Sequence, residues 1–280
     1  MKELRVSKVS FDDKRLSQDV YDYVFSRQNS DGGYTFVQEN DSNAQDTYYG
    51  VAILKLLGVQ FPNADRTRQW LHSFKLGSVY TYYYVAKALS ICGEDLSSRF
   101  KEYLRSMLAS KRYFGSVDVY LEVASEFQIT TMVLELAELL GQKETRKEVV
   151  DWLLKYKNSD GGFGSYGYSN VNSTYYATAS LGLLGFNLDK IKDTVDFLRA
   201  CENPEGGFTV VPNSYAPYME HTFYGVSALE ALKERCNYPS RTIDFVLKCQ
   251  NANGGFARTD IGISTFENTF QAISLIRKLA

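Results

Sequence analysis

Four short stretches decide the fold: QNSDGGY at Gln28 to Tyr34, KNSDGGF at Lys157 to Phe163, ENPEGGF at Glu202 to Phe208 and QNANGGF at Gln250 to Phe256. Each is polar and turn-like and ends in Gly-Gly-aromatic. Downstream of each comes a second shared block: DTYYGVAILKLLG from Asp46, STYYATASLGLLG from Ser173, HTFYGVSALEALK from His221 and NTFQAISLIRKLA from Asn268. All four blocks read as helix starts. A long internal period of this kind marks an architecture of stacked supersecondary units. Weaker copies, TYYYVAKALSIC from Thr81 and TTMVLELAELLG from Thr130, fill the gap between Gly33 and Gly161. The repeated threonine then gives six register marks, Thr47, Thr81, Thr130, Thr174, Thr222 and Thr269, spaced 34 to 49 residues apart.

Ahead of each mark lies an amphipathic stretch, such as VYDYVFSRQ from Val20 or EVVDWLLKY from Glu148, with apolar residues at i, i+3, i+4 and i+7. Each unit is therefore predicted to be an outer helix, a Gly-rich turn and an inner helix. Glycine at the end of the outer helix takes positive φ without a Cβ penalty, and the following aromatic is expected to cover the turn. A phosphate-cradling loop is excluded, because the turn carries no GK[ST] and follows a helix rather than a strand. A linear solenoid needs polar capping repeats at both ends. Neither end of this chain shows one, so the ends are expected to satisfy each other. The predicted fold is all-α, a closed double ring of six helix pairs over residues 16–280, with a short N-terminal extension over 1–15.

Composition narrows the partners. Thirty-one Lys and Arg stand against 33 Asp and Glu, a formal charge of −2 with no long run of one sign, so nucleic acid is not an expected partner. No window is apolar enough to span a bilayer and the N-terminus lacks an apolar stretch, which points to a cytoplasmic protein. Cys92, Cys201, Cys236 and Cys249 form neither a CxxC pair nor a zinc-finger spacing, so reduced thiols are expected. The unusual count is 21 tyrosines, gathered at particular repeat positions.

The Q/K/E-N-x-D/E/N-G-G-F/Y turns resemble the prenyltransferase and squalene cyclase repeat of protein prenyltransferase β subunits and triterpene cyclases. The resemblance covers nearly the whole chain. It implies an α/α toroid whose inner helices line an aromatic funnel for an isoprenoid, and a helical protein partner of the kind that β subunits have. It also supplies tests. The family's zinc ligands, an Asp and a Cys two residues apart on the fifth inner helix and a His on the sixth, correspond here to Glu220, Thr222 and Glu267. The family's diphosphate-binding basic residues fall in a loop that here reads FTVVPNSYAPYM and holds no Lys or Arg. No DxDD acid of the triterpene cyclases occurs; the FDD at Phe11 to Asp13 precedes the first helix.

Closure of the ring makes units five, six and one neighbours, so Glu220, His221, Glu267 and Asp46 are expected to cluster at one mouth as candidate catalytic residues. Two readings stand for them. Asp, Ser and Asn at helix starts are favoured caps, and Glu in a first turn suits the helix dipole. Alternatively, Glu220, His221 and Glu267 hold a divalent cation, zinc or magnesium, or act as acid and base. His72 on an outer helix is read as structural. On the inner helices Gly50, Val133, Ala177, Gly225 and Ala272 are small enough that the interior is expected to widen there, or the helices to approach closely.

Around that level lie Tyr48, Tyr49, Tyr80, Tyr84, Tyr175, Tyr176, Phe223, Tyr224 and Phe270, the candidate substrate-binding residues, together with Tyr82 and Tyr83. Tyrosine carries a hydroxyl that needs a partner when buried, so this stripe favours a pocket with apolar walls over a dry core. Three functions follow. The ring binds and processes an isoprenoid or another apolar small molecule by prenyl-transfer-like chemistry at an acidic site; it is a non-catalytic binding scaffold; or it is a terpene-cyclase-like or carbohydrate-active toroid.

Overall fold

The computed structural model describes residues 14–96, 98–111, 113–114, 125–142 and 147–280. The FDD at Phe11 to Asp13 and most of the expected N-terminal extension lie outside the described residues. Outer helices α1 (Lys14–Phe25), α3 (Ala64–Ser73), α5 (Ser98–Ser110), α7 (Lys147–Leu154), α9 (Thr194–Cys201) and α11 (Pro239–Lys248) alternate with the inner set. The inner helices are α2 (Ala44–Leu57), α4 (Val79–Ile91), α6 (Glu126–Leu139), α8 (Val171–Leu183), α10 (Met219–Ala231) and α12 (Phe266–Leu279). Two single turns of 3₁₀ helix, Ser165–Gly167 and Leu188–Ile191, lie in the connections of the fourth and fifth units.

Each inner helix packs against the next, and α12 packs against α2, so the ring closes. The outer helices bury one stripe each, as Val149, Trp152 and Leu153 do on α7. Inner helices, held between two layers, are buried over most of their surface; α6 buries nine residues in 14. The six-unit double ring expected from the repeat is the observed fold.

The Gly-Gly turns work as wedges. In the first unit Asn29 N–H donates to Gly33 O at 2.9 Å, Gly32 N–H donates to Asn29 O at 3.0 Å, and Asp31 Oδ1 accepts from Gly33 N–H at 2.9 Å. The fourth unit repeats this with Asn158, Gly162 and Asp160. The first glycine takes φ of +95°, +87°, +111° and +87° at Gly32, Gly161, Gly206 and Gly254. It also lies flat on the next outer helix: a Cβ on Gly32 would sit 2.5 Å from the carbonyl carbon of Arg66. Gly161 meets Asp193, Gly206 meets Arg241, and Gly254 meets Asp19 of α1 in the same way. The last of these contacts closes the outer layer across the seam.

Three expectations need correction. The aromatic after Gly-Gly does not cover the turn; Tyr34, Phe163, Phe208 and Phe256 are fully buried between the layers. Each donates its backbone N–H to a marker threonine hydroxyl, Thr47, Thr174, Thr222 and Thr269 in turn, at 2.9 to 3.0 Å. Secondly, the two glycines among the small residues, Gly50 and Gly225, do not widen the interior. A Cβ on Gly50 would sit 3.1 Å from the Tyr34 ring and one on Gly225 closer still to that of Phe208, so these glycines admit the aromatic wedge from outside. Thirdly, the second unit is read one residue out of register. Thr81 caps its own helix, accepting from Gly77 and Ser78 N–H. Tyr82 takes the outward place, stacked on Tyr103 of α5 at 3.6 Å.

Candidate functional site

The axis of the ring holds three adjoining spaces. At the N-terminal ends of the inner helices lies a polar mouth of about 680 Å³, bordered by Gln45, Asp46, Tyr80, Gln128, Asn172, Glu220, Arg258 and Glu267 among others. Beneath it is a space of about 150 Å³ walled by Tyr48, Tyr49, Tyr83, Tyr84, Tyr175, Tyr176, Phe223, Tyr224 and Phe270. Tyr84, Gln128, Tyr176 and Tyr224 border both levels, so the mouth and the aromatic layer share a wall. A third space of about 550 Å³ opens at the C-terminal ends of the helices.

All nine aromatic candidates reach this channel, eight in the middle level and Tyr80 in the mouth. They arrive as pairs because consecutive residues on an inner helix both turn inward once the marker threonine points outward. The walls are close-set: Tyr175 stacks on Tyr224 at 4.8 Å, and Tyr48 lies 4.9 Å from Tyr49. Tyr176 and Tyr224 join their hydroxyls at 2.7 Å across the floor of the mouth. Burial raises the tyrosines well above their ordinary pKa, so they are neutral hydroxyls.

The four candidate catalytic residues sit in the same sector but do not converge. Asp46 is buried and held by Asn43 Nδ2 at 2.7 Å and Phe36 N–H at 3.0 Å, a cap for its own loop that still borders the mouth. Burial raises its pKa against the lowering effect of those two donors. Glu220 pairs with Arg258, Nη2 to Oε1 2.5 Å, and its Oε2 is buried with no hydrogen-bond partner. Glu267 accepts from Tyr49 O–H at 3.2 Å, Gln45 Nε2 at 3.2 Å and Gln271 Nε2 at 3.3 Å. Burial raises its pKa, the Tyr49 bond opposes this, and the nearby charges of Glu220 and Asp46 add to it.

His221 departs from expectation. Its ring is buried, with Nδ1 2.8 Å from Asn172 Oδ1, and it does not border the mouth. Burial lowers its pKa; the Glu220 charge opposes this and Arg258 adds to it. The expected metal set therefore does not form: among the described residues no three His, Cys, Asp or Glu side chains gather closely enough to hold a metal ion. Glu220 is already neutralised by a guanidinium. The Thr222 hydroxyl, at the place of the family's thiolate, faces outward to Phe208 N–H. The donors present do not fit zinc.

Sequence reading passed over the polar floor of the middle level. Lys87 on α4 and Glu135 on α6 pair at 2.6 Å, and Tyr83 O–H donates to the same Glu135 oxygen at 2.5 Å. Both charged residues border the middle and the lower spaces. The signal that could have found them is Lys87, the one charge on α4, and Glu135, set among the apolar residues of the second half of α6.

A family model described as the prenyltransferase alpha-alpha toroid domain matches residues 5–80 and 96–279. The unmatched 81–95 carry most of α4, whose unit lacks the Gly-Gly-aromatic turn. The protein farnesyltransferase subunit beta of Schizosaccharomyces pombe is 35% identical over 75 residues, 25% of this chain and 20% of that protein. The similarity thus spans about a fifth of that curated relative's length. Candida albicans protein geranylgeranyltransferase-I, in complex with GGPP, matches with a TM-score of 0.72 at 16% identity, covering 93% of this chain and 90% of its own. The type II terpene cyclase MstE from Scytonema matches at 0.62 with 14% identity, over 95% and 97%. At those identities the likeness is one of fold. No helix among the described residues is long and apolar enough to cross a membrane. From the wedged turns to the seam between α12 and α2, this chain belongs to the prenyltransferase alpha-alpha toroid family.

Proposed function

We propose that this toroid binds an isoprenoid in its axial channel, the carbon chain among the tyrosines and the polar end in the mouth, and that Glu267 acts there as a proton donor. The observation that carries the reading is the gradient along one axis, from a mouth of about 680 Å³ ringed by Arg258, Glu220 and Glu267 to walls of Tyr and Phe. The mouth has the size of a small-molecule site, whereas the middle level alone is too small for one, so the ligand enters from the mouth, leaves its polar end there and passes only its carbon chain inward. A complex of a like-folded enzyme with GGPP supports the choice of ligand class. Glu267, whose carboxyl is pushed by burial toward its protonated form, suits donation to an oxygen at the polar end of the chain. Transfer through a zinc-activated thiolate is not part of the reading, since the ligands for it are not assembled.

A partner subunit belongs to the same proposal. Tyr166, Tyr168, Tyr215, Ile261 and Ile263 are strongly exposed on the loops that lead into α8, α10 and α12. The loops of the fourth and fifth units, 163–170 and 208–218, hold no charged residue. Exposed apolar surface of this kind is what a partner covers, and the curated relative is itself a subunit.

A non-catalytic binding toroid is the second reading, favoured by the unassembled metal set and the unbasic loop at 208–219. Calorimetric titration with geranyl, farnesyl and geranylgeranyl diphosphates tests the binding. Saturable binding that weakens at least tenfold in Tyr224→Ala supports it, and no heat with any of the three refutes it. Product analysis on Glu267→Gln then separates the two readings. An enzyme loses turnover and keeps binding, and a scaffold shows no turnover in the native protein.

A further inference from the structure

The inner end of the channel is not apolar. Lys87 Nζ lies 2.6 Å from Glu135 Oε2 and donates to the Tyr83 hydroxyl at 2.9 Å, while that hydroxyl donates to the same Oε2. The ammonium also stands 4.8 Å from the centre of the Tyr83 ring and 5.4 Å from that of Tyr48. Both hydrogen bonds that Glu135 accepts in this cluster reach Oε2; Glu135 Oε1 accepts none from the described residues. The two side chains are 28% and 25% exposed and border the middle and lower spaces.

A hydrocarbon end pressed against this pair would remove water from a carboxylate oxygen and return no hydrogen bond, which opposes binding. A hydroxyl would do the reverse, donating to Glu135 Oε1 while lying beside the ammonium. The distance sets the size of the chain between. Gln128 at the mouth and Glu135 at the floor are seven residues apart on α6, a rise of about 10 Å. An extended carbon chain covers that in roughly eight bonds of ~1.5 Å each.

We propose that Lys87, Glu135 and Tyr83 form a distal recognition site for a hydroxyl, so that the channel selects a short isoprenoid oxygenated at both ends over the plain hydrocarbon chain. This rests on the isoprenoid reading above and goes further by naming the tail. The site acts by binding alone and needs no co-reactant.

The experiment is calorimetric titration of the full chain with geranyl diphosphate and with 8-hydroxygeranyl diphosphate, on the native protein and on the double variant Lys87→Met, Glu135→Leu. Replacing both partners avoids stranding one charge, and thermal melting checks that the variant folds. The expected result is a preference of at least tenfold for the hydroxylated ligand, lost in the double variant while geranyl diphosphate binds as well or better. Equal affinities in the native protein, or a preference that survives the double change, overturn the distal site and leave the isoprenoid reading standing. Binding of neither ligand overturns both. Should the double variant not fold, Glu135→Gln, which keeps an acceptor, is expected to retain part of the preference; an unchanged preference counts against the site.

Discussion

At the scale of single residues, the marker threonines do more than record a period. Thr222 is fully buried, accepts from Phe208 N–H at 3.0 Å and donates to Tyr218 O at 2.8 Å, so its hydroxyl ties the wedge to the inner helix. Thr222→Val leaves a buried N–H unpaired and is expected to cost about 1–3 kcal/mol in urea unfolding. Thr81→Val, at a half-buried cap, is expected to cost about 1 kcal/mol. Glu267 gives a pH signature. Its folded pKa is raised above the unfolded value of 4.5, so its contribution is favourable below that value and is lost as pH rises through the folded value. Glu267→Gln should therefore gain on the native protein between pH 4 and 7, read as a widening difference in melting temperature; a constant difference would show that burial does not perturb this carboxyl. The aromatic candidates were legible from sequence because they recur at one register. The pairing of Glu220 with Arg258 was not, since Arg258 comes from a loop 38 residues on whose path no helical period describes.

At the scale of elements, the turn and the helix that follows form one unit, and the glycine is its tightest point. Gly254 has φ of +87° and would drive a Cβ into the Asp19 carbonyl of α1. Gly254→Ala combines left-handed strain with a backbone clash and is expected to cost roughly 3 kcal/mol or more, a large effect for one methyl group. Gly58, the αL cap of α2, has open space around it, and Gly58→Ala should cost only about 1 kcal/mol. Urea denaturation of the pair checks the contrast; equal costs would mean that the clash relaxes freely. Four units could be read directly because their turns keep Gly-Gly-aromatic. The second lacks it, and there the threonine register slips by one residue: nothing in a run of four aromatic residues, Tyr80, Tyr82, Tyr83 and Tyr84 around Thr81, says which of them stacks on Tyr103.

At the scale of the whole molecule, six helix pairs stacked in a row leave one face of the first unit and one face of the last to be buried. The contact of α12 with α2 joins them. Deleting residues 239–280, which removes α11 and α12, reopens faces of α2 and α10 at once. The truncated chain is expected to lose cooperative thermal unfolding, where a linear solenoid would lose only one unit's share. The floor of the channel was hidden from sequence for the same reason that the ring is effective: Lys87 and Glu135 lie 48 residues apart on successive inner helices and meet only because the helices circle one axis. We read this axis as a ligand channel graded from polar to aromatic. A crystal structure of the protein grown with saturating geranyl diphosphate tests it most directly. Continuous density from Arg258 past the Tyr176–Tyr224 hydroxyl pair into the tyrosine layer is the predicted result, and an empty channel under saturating ligand, or ligand seated only on the outer helices, would contradict it.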